Sequence, residues 1–134
     1  MSWSEEDAPS SNPQTANAAV YDSSAMPIAK VTASDYVIDL GSGDGRTVIT
    51  AARRGATALG IEYNPDMVEL SKQNAAKEGV TAKATFIRGD IFETDFSQAT
   101  VVTLFMPPSF NQKLRPRLLA MKARGWVALG RGHL

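Results

Sequence analysis

The chain has 134 residues and a mass of 14.4 kDa, a length that supports one domain with its own hydrophobic core. It contains no cysteine, which excludes disulfides, thiolate chemistry and cysteine-based zinc sites, and we predict no metal site. Six basic and no acidic residues follow Asp95, so the last 39 residues carry +6 and the first 95 carry −6. Such a segment is typical either of a solvated helix face or of a surface for nucleic acid or another acidic partner.

The composition of the first residues indicates where the folded domain begins. Residues 1–24 are rich in Ser, Asn, Asp, Ala and Pro without an apolar period, which predicts a disordered tail. The start is acidic where a signal peptide is basic, and no apolar run approaches the roughly 18 residues of a membrane span. We therefore expect a cytoplasmic protein with a single domain over residues 25–134 and no membrane span.

Strands and helices are predicted to alternate along this domain. The strands are 36–40, 57–63, 82–89, 100–106 and 125–129, and the helices are 45–55, 64–79 and 109–125. Asn64 is expected to cap the second helix, and Pro116 is expected in the first turn of the third. This alternation predicts an α/β fold with a doubly wound, mostly parallel sheet and helices on both faces. In such sheets the ligand binds beyond the carboxyl ends of the strands.

A glycine-rich turn follows the first predicted strand. The stretch "DLGSGDG" places glycines at 41, 43 and 45, a G-x-G-x-G spacing that differs from the G-x-G-x-x-G of dinucleotide folds. No G-K-[ST] follows, so a Walker phosphate loop is excluded. Asp39 and Asp44 surround the turn with negative charge, which favours a ligand with a cationic group over a phosphate.

Three successive predicted strands finish in a carboxylate: Asp39, Glu62 and Asp90. Because the ends of parallel strands meet at one edge of a sheet, we expect these side chains on a single rim with the glycine turn. Each acid taken alone is typical of an ordinary strand end or turn. Together with the turn, they predict a ligand site in which Glu62 accepts hydrogen bonds from both hydroxyls of a ribose.

These residues resemble the class I, seven-strand methyltransferases, which have a Rossmann-like core and use S-adenosylmethionine. The resemblance implies that the glycine turn lies against the methionine part of the cofactor and that the first acid reaches toward its ammonium. The implied cofactor residues are Asp39, Gly41, Ser42, Gly43 and Gly45 in the turn, Glu62 as ribose clamp, Tyr63 along the adenine face, and Asp90 with the Ile91 backbone at the adenine amino group. A strand-end aromatic at the edge of the core is the alternative for Tyr63.

The stretch "FMPPSF" follows the fourth predicted strand, where this family places residues that face the methyl acceptor. Enzymes that methylate amino groups of bases or glutamine carry Asp or Asn before Pro-Pro and an aromatic after it. Met106 and Ser109 stand there in this chain, which disfavours a base-amino acceptor. A rigid turn with Ser109 as helix cap is the alternative interpretation of the stretch.

The motifs "GSGDGR", "GIEYNP" and "VVTLFMPPS" are most similar to the small protein-lysine methyltransferases related to those acting on the ATP synthase c subunit and the adenine nucleotide translocase. This resemblance implies a protein lysine as acceptor. It also implies that the carbonyls of Met106 and Pro107, or the hydroxyl of Ser109, accept a hydrogen bond from the amine.

The chain departs from this family in length, because the full fold has seven strands and its last two form a hairpin beside the fifth. We therefore expect a core that is truncated after the fifth strand and that lacks this C-terminal hairpin. Its open sheet edge is a place where an oligomer could form. Three functions stay open: an active methyltransferase with a protein lysine as leading acceptor, a catalytically inactive or truncated cofactor-binding domain, and a methyltransferase acting on a small molecule or on nucleic acid bound by the basic C-terminal third.

Overall fold

The computed structural model describes residues 19–22, 30–104, 108–120 and 126–129. The strands are β1 (Ala19–Asp22), β2 (Tyr36–Leu40), β3 (Thr57–Glu62), β4 (Ala84–Arg88), β5 (Val101–Leu104) and β6 (Trp126–Leu129). The helices that follow β2, β3 and β5 are α1 (Arg46–Arg53), α2 (Pro65–Lys77) and α3 (Pro108–Leu119). Within these ranges, no helix has the length and apolar character needed to cross a membrane.

The strands form one six-stranded sheet in the order β1-β6-β5-β2-β3-β4. All neighbouring strands are parallel. The chain winds from β2 outward to β3 and β4, then returns to the other side of β2 to form β5. The winding direction therefore reverses between β2 and β5, which is where sheets of this kind bind ligands. The predicted α/β, doubly wound architecture is confirmed.

Two hydrophobic cores cover the two faces of the sheet. Alternate residues of β2 face opposite sides, so Val37 belongs to one core and Ile38 to the other. The first core includes Val48 of α1 and Val68 of α2, and the second includes Leu114 of α3. Helices thus lie on both faces and leave the carboxyl ends of the central strands at an edge.

The sequence predicted the start of α2 correctly but misplaced one proline of α3. Asn64 caps α2 by accepting a 2.9 Å hydrogen bond from the backbone N–H of Asp66, as predicted, and Pro65 takes the first helical position. The expectation for Pro116 was wrong, because this residue lies inside α3 rather than in its first turn. Its missing N–H removes one intrahelical bond.

The predicted tail contains a strand. β1 pairs in parallel with β6, with Ala19 opposite Trp126, so the expectation of disorder is wrong for residues 19–22. The other residues of the predicted tail lie outside the described ranges. The expected open edge beside β6 is also wrong, since β1 occupies it and thereby removes the argument for an oligomer through that edge.

We expect removal of residues 1–22 to lower the free energy of unfolding by roughly 2 to 4 kcal/mol, because the backbone hydrogen bonds of the four-residue pairing with β6 are lost at about 1 kcal/mol each. The exposed edge should also promote self-association. Urea unfolding and analytical ultracentrifugation measure the two effects. A variant that lacks only residues 1–18 retains β1 and serves as control; equal stability of the two deletions would contradict the role of β1.

Candidate functional site

The turn after β2 is built from backbone that only glycine adopts readily. Gly41, Gly43 and Gly45 have φ angles of 80°, 57° and 89°, in the left-handed region. The N–H groups of Gly41 and Ser42 both donate to the carbonyl of Ile61 in β3, at 2.8 and 3.1 Å. The turn is therefore bent over the end of the neighbouring strand before α1 begins.

The turn lies so close to β3 that no side chain fits between them. A Cβ atom at Gly60 would lie 2.7 Å from the Ser42 hydroxyl and 2.7 Å from the Phe86 ring. A Cβ atom at Gly45 would lie 2.9 Å from the same ring. The Ser42 hydroxyl is buried and has no hydrogen-bond partner within the described ranges. Gly60 is thus part of the architecture of the turn, a role that the sequence analysis missed.

Two side chains of helix α2 form hydrogen bonds with the backbone of the glycine turn. The buried Ser71 hydroxyl donates to the carbonyl of Gly43 at 2.8 Å, and the Asn74 amide donates to the carbonyl of Asp44 at 3.0 Å. Ser71 and Asn74 are three residues apart, so they project from the same face of the helix. Two carbonyls of the turn are therefore satisfied by side chains of α2.

Glu62, the last residue of β3, is bound to the turn. One of its carboxylate oxygens accepts a 2.9 Å hydrogen bond from the N–H of Gly43, and the other accepts a 3.0 Å bond from the N–H of Asn64. An ionised carboxylate has about four acceptor positions, so capacity for further donors remains. The side chain is half-buried and lines a cavity beside the turn.

Asp39 lies beneath the turn, inside β2, with 5% of its surface exposed. The register of the sheet places it opposite Thr103 of β5, whose hydroxyl donates to its carboxylate at 2.6 Å. Burial raises the pKa of Asp39 to about 7, the Thr103 hydrogen bond opposes this rise, and the negative charge of Glu62 adds to it. Asp39 is therefore a buried acid close to its protonation midpoint at neutral pH.

The cavity has a volume of about 470 Å³ and opens at the carboxyl edge of the sheet. This volume is within the range of small-molecule sites. Its walls come from four parts of the chain: the glycine turn after β2, the end of β3, the loop after β4, and α3. The lining residues are Gly41, Glu62, Tyr63, Gly89, Asp90, Ile91, Phe92 and Phe110. The walls are mostly apolar, with two carboxylates among them.

The predicted cofactor residues fall into two groups. Five of them line the cavity: Gly41, Glu62, Tyr63, Asp90 and Ile91. The other four form the turn and the strand beneath it and do not line this cavity: Asp39, Ser42, Gly43 and Gly45. All three acids lie at one edge of the sheet, and the 72% exposure of Tyr63 argues against its alternative role as core filler.

The predicted acceptor residues are less fully described. Ser109 is exposed in the first turn of α3, and its neighbour Phe110 lines the cavity instead. Met106 and Pro107 lie outside the described residues.

Asp44 was expected to add negative charge beside the glycine turn. Its carboxylate forms a 2.9 Å ion pair with Arg46, which lowers the pKa of Asp44. Asp44 does not line the cavity.

Phe92 and Phe110 were missed by the sequence analysis. Their ring centroids lie 5.4 Å apart, so an aromatic pair closes the cavity on the side of α3. Two apolar residues, Ile91 and Phe92, directly follow Asp90, and this pattern indicates in the sequence that the segment after β4 forms a wall of the cavity. Phe110 ends the stretch "FMPPSF" that was expected at the site, but only the return of the chain to β5 and α3 brings its ring to this cavity.

The parallel sheet, the glycine turn and the acids on one rim are the features expected of a Rossmann-like S-adenosylmethionine methyltransferase, and solved methyltransferases share this fold. An S-adenosylmethionine-dependent methyltransferase from Geobacter sulfurreducens has the same fold, with a TM-score of 0.67 over 78% of this chain and 44% of that chain at 22% identity. The chain belongs to the ANTKMT methyltransferase domain family, which it matches over residues 39–129. The class and the subfamily inferred from the motifs are both confirmed.

Three relatives show how far the similarity extends. A protein-lysine N-methyltransferase of Saccharolobus islandicus is 44% identical over 69% of this chain and 59% of its own length. A human lysine N-methyltransferase of the ATP synthase c subunit is 43% identical over 61% of this chain and 35% of its own. An RNA methyltransferase of Salinibacter ruber, solved with S-adenosyl-L-homocysteine, is 45% identical with a TM-score of 0.67 over 83% of this chain and 69% of that one. The chain spans only part of the two curated relatives.

The position of Asp39 predicts a pH-dependent stability. Because its pKa is raised in the folded protein above an unfolded value of about 4, the folded state binds more protons between about pH 4 and pH 7. The contribution of Asp39 to the free energy of unfolding should therefore fall as pH rises through this window, by up to about 4 kcal/mol. Asp39→Asn should lack this fall.

Urea unfolding of wild type and Asp39→Asn at about pH 5 and about pH 8 measures the difference. Glu93→Gln, which alters an exposed carboxyl of the same protein, is the control and should follow the wild type. If the free energy of unfolding of Asp39→Asn falls as much with rising pH as that of the wild type, Asp39 is not the source of the pH dependence.

Proposed function

We propose that this protein is an S-adenosylmethionine-dependent methyltransferase and that its methyl acceptor is a lysine amine of another protein. The observation that carries the proposal is the junction of the glycine turn with Glu62. The carboxylate holds Gly43 on one side and lines the cavity on the other, so one residue joins the turn to the space for a nucleoside. The family relationship supports the reaction class.

The residues of the site fit this cofactor. Glu62 retains acceptor positions for ribose hydroxyls, and the exposed ring of Tyr63 with Ile91 and Phe92 offers an apolar surface for a base. Gly41 brings bare backbone to the cavity wall. Asp39 lies under the turn and, once ionised, would place a negative charge near a cationic ammonium. The Salinibacter ruber relative, which holds S-adenosyl-L-homocysteine, supports the same assignment.

When bound, S-adenosylmethionine supplies a methyl group on a positively charged sulfur. The contribution of the chain is to position the acceptor and to keep water out, because direct displacement needs no covalent enzyme intermediate. A lysine amine with a pKa near 10.4 must also lose its proton, at a cost of about 4.6 kcal/mol at pH 7. The Ser109 hydroxyl and the carbonyls of Met106 and Pro107 are the groups we propose to receive hydrogen bonds from that amine.

The choice of a protein lysine rests on the relatives. The Saccharolobus islandicus and human proteins are both described as lysine N-methyltransferases. RNA is the second candidate acceptor, because the Salinibacter ruber protein is described as an RNA methyltransferase. A cytoplasmic location stays a prediction.

We expect Glu62→Ala to weaken binding of S-adenosylhomocysteine about tenfold or more, because charged hydrogen bonds worth about 1.5 to 3 kcal/mol each are removed. Glu62→Gln retains one oxygen acceptor and should lose less. Titration calorimetry on variants whose folding is checked by circular dichroism gives the affinities. Glu93→Ala is the matched control, and unchanged affinity in folded Glu62→Ala would refute the ribose assignment.

The acceptor is tested with a labelled methyl donor and a cell lysate. Transfer to a lysine acceptor should survive nuclease treatment and disappear after protease treatment, and hydrolysed product should contain methyl-lysine. Label that is lost with ribonuclease and resists protease would favour RNA. If no component of the lysate becomes labelled although the protein binds the cofactor tightly, the protein is a cofactor-binding domain that is catalytically inactive.

A further inference from the structure

The basic residues of α3 do not all face solvent. Arg117 bridges the helix to the loop that follows β4, donating to the carbonyl of Phe92 at 3.0 Å and to that of Ile91 at 3.2 Å. It also donates to the carbonyl of Thr94. Its guanidinium carbon lies 4.3 Å from the centroid of the buried Phe96 ring, a cation–π contact. One side chain thus binds three carbonyls of a single loop.

Two further residues of α3 reinforce this contact. Phe110 packs against Phe92, and the Lys113 ammonium lies 5.6 Å from the centroid of the Phe92 ring. Phe110, Lys113 and Arg117 are spaced by three and four residues, so they lie on one face of the helix. That face packs against the loop, and its Phe110 also lines the cavity.

The loop after β4 forms one wall of the cavity. Asp90, Ile91 and Phe92 all line the cavity and follow the end of β4. The carbonyl of Asp90 accepts from the N–H groups of Glu93 and Thr94, at 3.0 Å each, whereas the carbonyls of Ile91 and Phe92 accept from Arg117. Within the loop, the Asp90 carboxylate accepts from the N–H of Phe92 at 2.9 Å. Arginine suits the remaining carbonyls because its planar group presents five N–H donors in a fixed fork, whereas lysine presents a single ammonium.

We propose that Arg117 is a positioning residue that fixes the wall formed by residues 90–92 and thereby sets both the affinity of the cavity and its selectivity for the base. The inference rests on the proposed function, because it assumes a nucleoside in this cavity. It also gives part of the basic C-terminal segment a structural purpose, so that Arg117 is not available as a free charge for nucleic acid.

The test compares ligands that differ only at the base. Wild type should bind S-adenosylhomocysteine more tightly than S-inosylhomocysteine, which lacks the amino group that we place at Asp90. Arg117→Ala should raise the dissociation constant for S-adenosylhomocysteine about tenfold or more, and it should reduce the preference between the two ligands. Arg117→Lys should fall between wild type and Arg117→Ala. Titration calorimetry on the full chain measures these affinities for both ligands.

Arg115→Ala is the matched control, since Arg115 is an exposed arginine of the same helix and its removal makes the same change in charge. It should bind both ligands as the wild type does. A purely structural Arg117 would lower the urea midpoint and leave the preference between the ligands intact. Full wild-type affinity and preference in folded Arg117→Ala, or in Arg117→Lys should the alanine variant not fold, would overturn the proposal.

The two proposals fail in different ways. If the wild type binds neither nucleoside, the cofactor assignment is wrong and the positioning role is overturned with it. If the wild type binds and prefers the adenosyl ligand while the Arg117 variants match Arg115→Ala, the cofactor assignment stands and only the positioning role is overturned.

Discussion

The constraint on which the structure depends is the close approach of the turn after β2 to the end of β3. Two N–H groups of the turn share the carbonyl of Ile61, and the space between the segments excludes a Cβ atom at Gly60. The contact fixes where α1 begins and where Glu62 points. Of the glycines in this turn, Gly41 also lines the cavity, so one part of the cavity wall is backbone without a side chain.

Charge is distributed over two levels of the site. Glu62 and Asp90 lie at the cavity, while Asp39 is buried below the turn and bound to Thr103. Burial and the charge of Glu62 both favour the protonated form of Asp39 and raise its pKa. A cationic group held above the turn would act in the opposite direction. The two acids beside the turn thus differ in direction, because burial raises the pKa of Asp39 whereas the hydrogen bond from Arg46 lowers the pKa of Asp44.

The sequence predicted the central strands and helices well, because apolar runs, glycine stops and the Asn64 cap are local signals. It missed β1, a strand of four residues stabilised by pairing with a strand at the far end of the chain. It placed the five cavity residues near the ends of β2, β3 and β4 but missed Phe110 and Arg117, which come from α3. These contacts depend on the crossover from β4 to β5, and no spacing in the sequence encodes them.

The two side chains of α2 that bind the carbonyls of the turn have a kinetic consequence. Ser71 and Asn74 hold the turn in its bent form through hydrogen bonds within the protein itself, so a ligand does not have to order it on arrival. Encounter with such a preformed surface is limited mainly by diffusion and orientation. Differences in affinity among nucleosides then appear chiefly in how long each one stays, that is, in the dissociation rate.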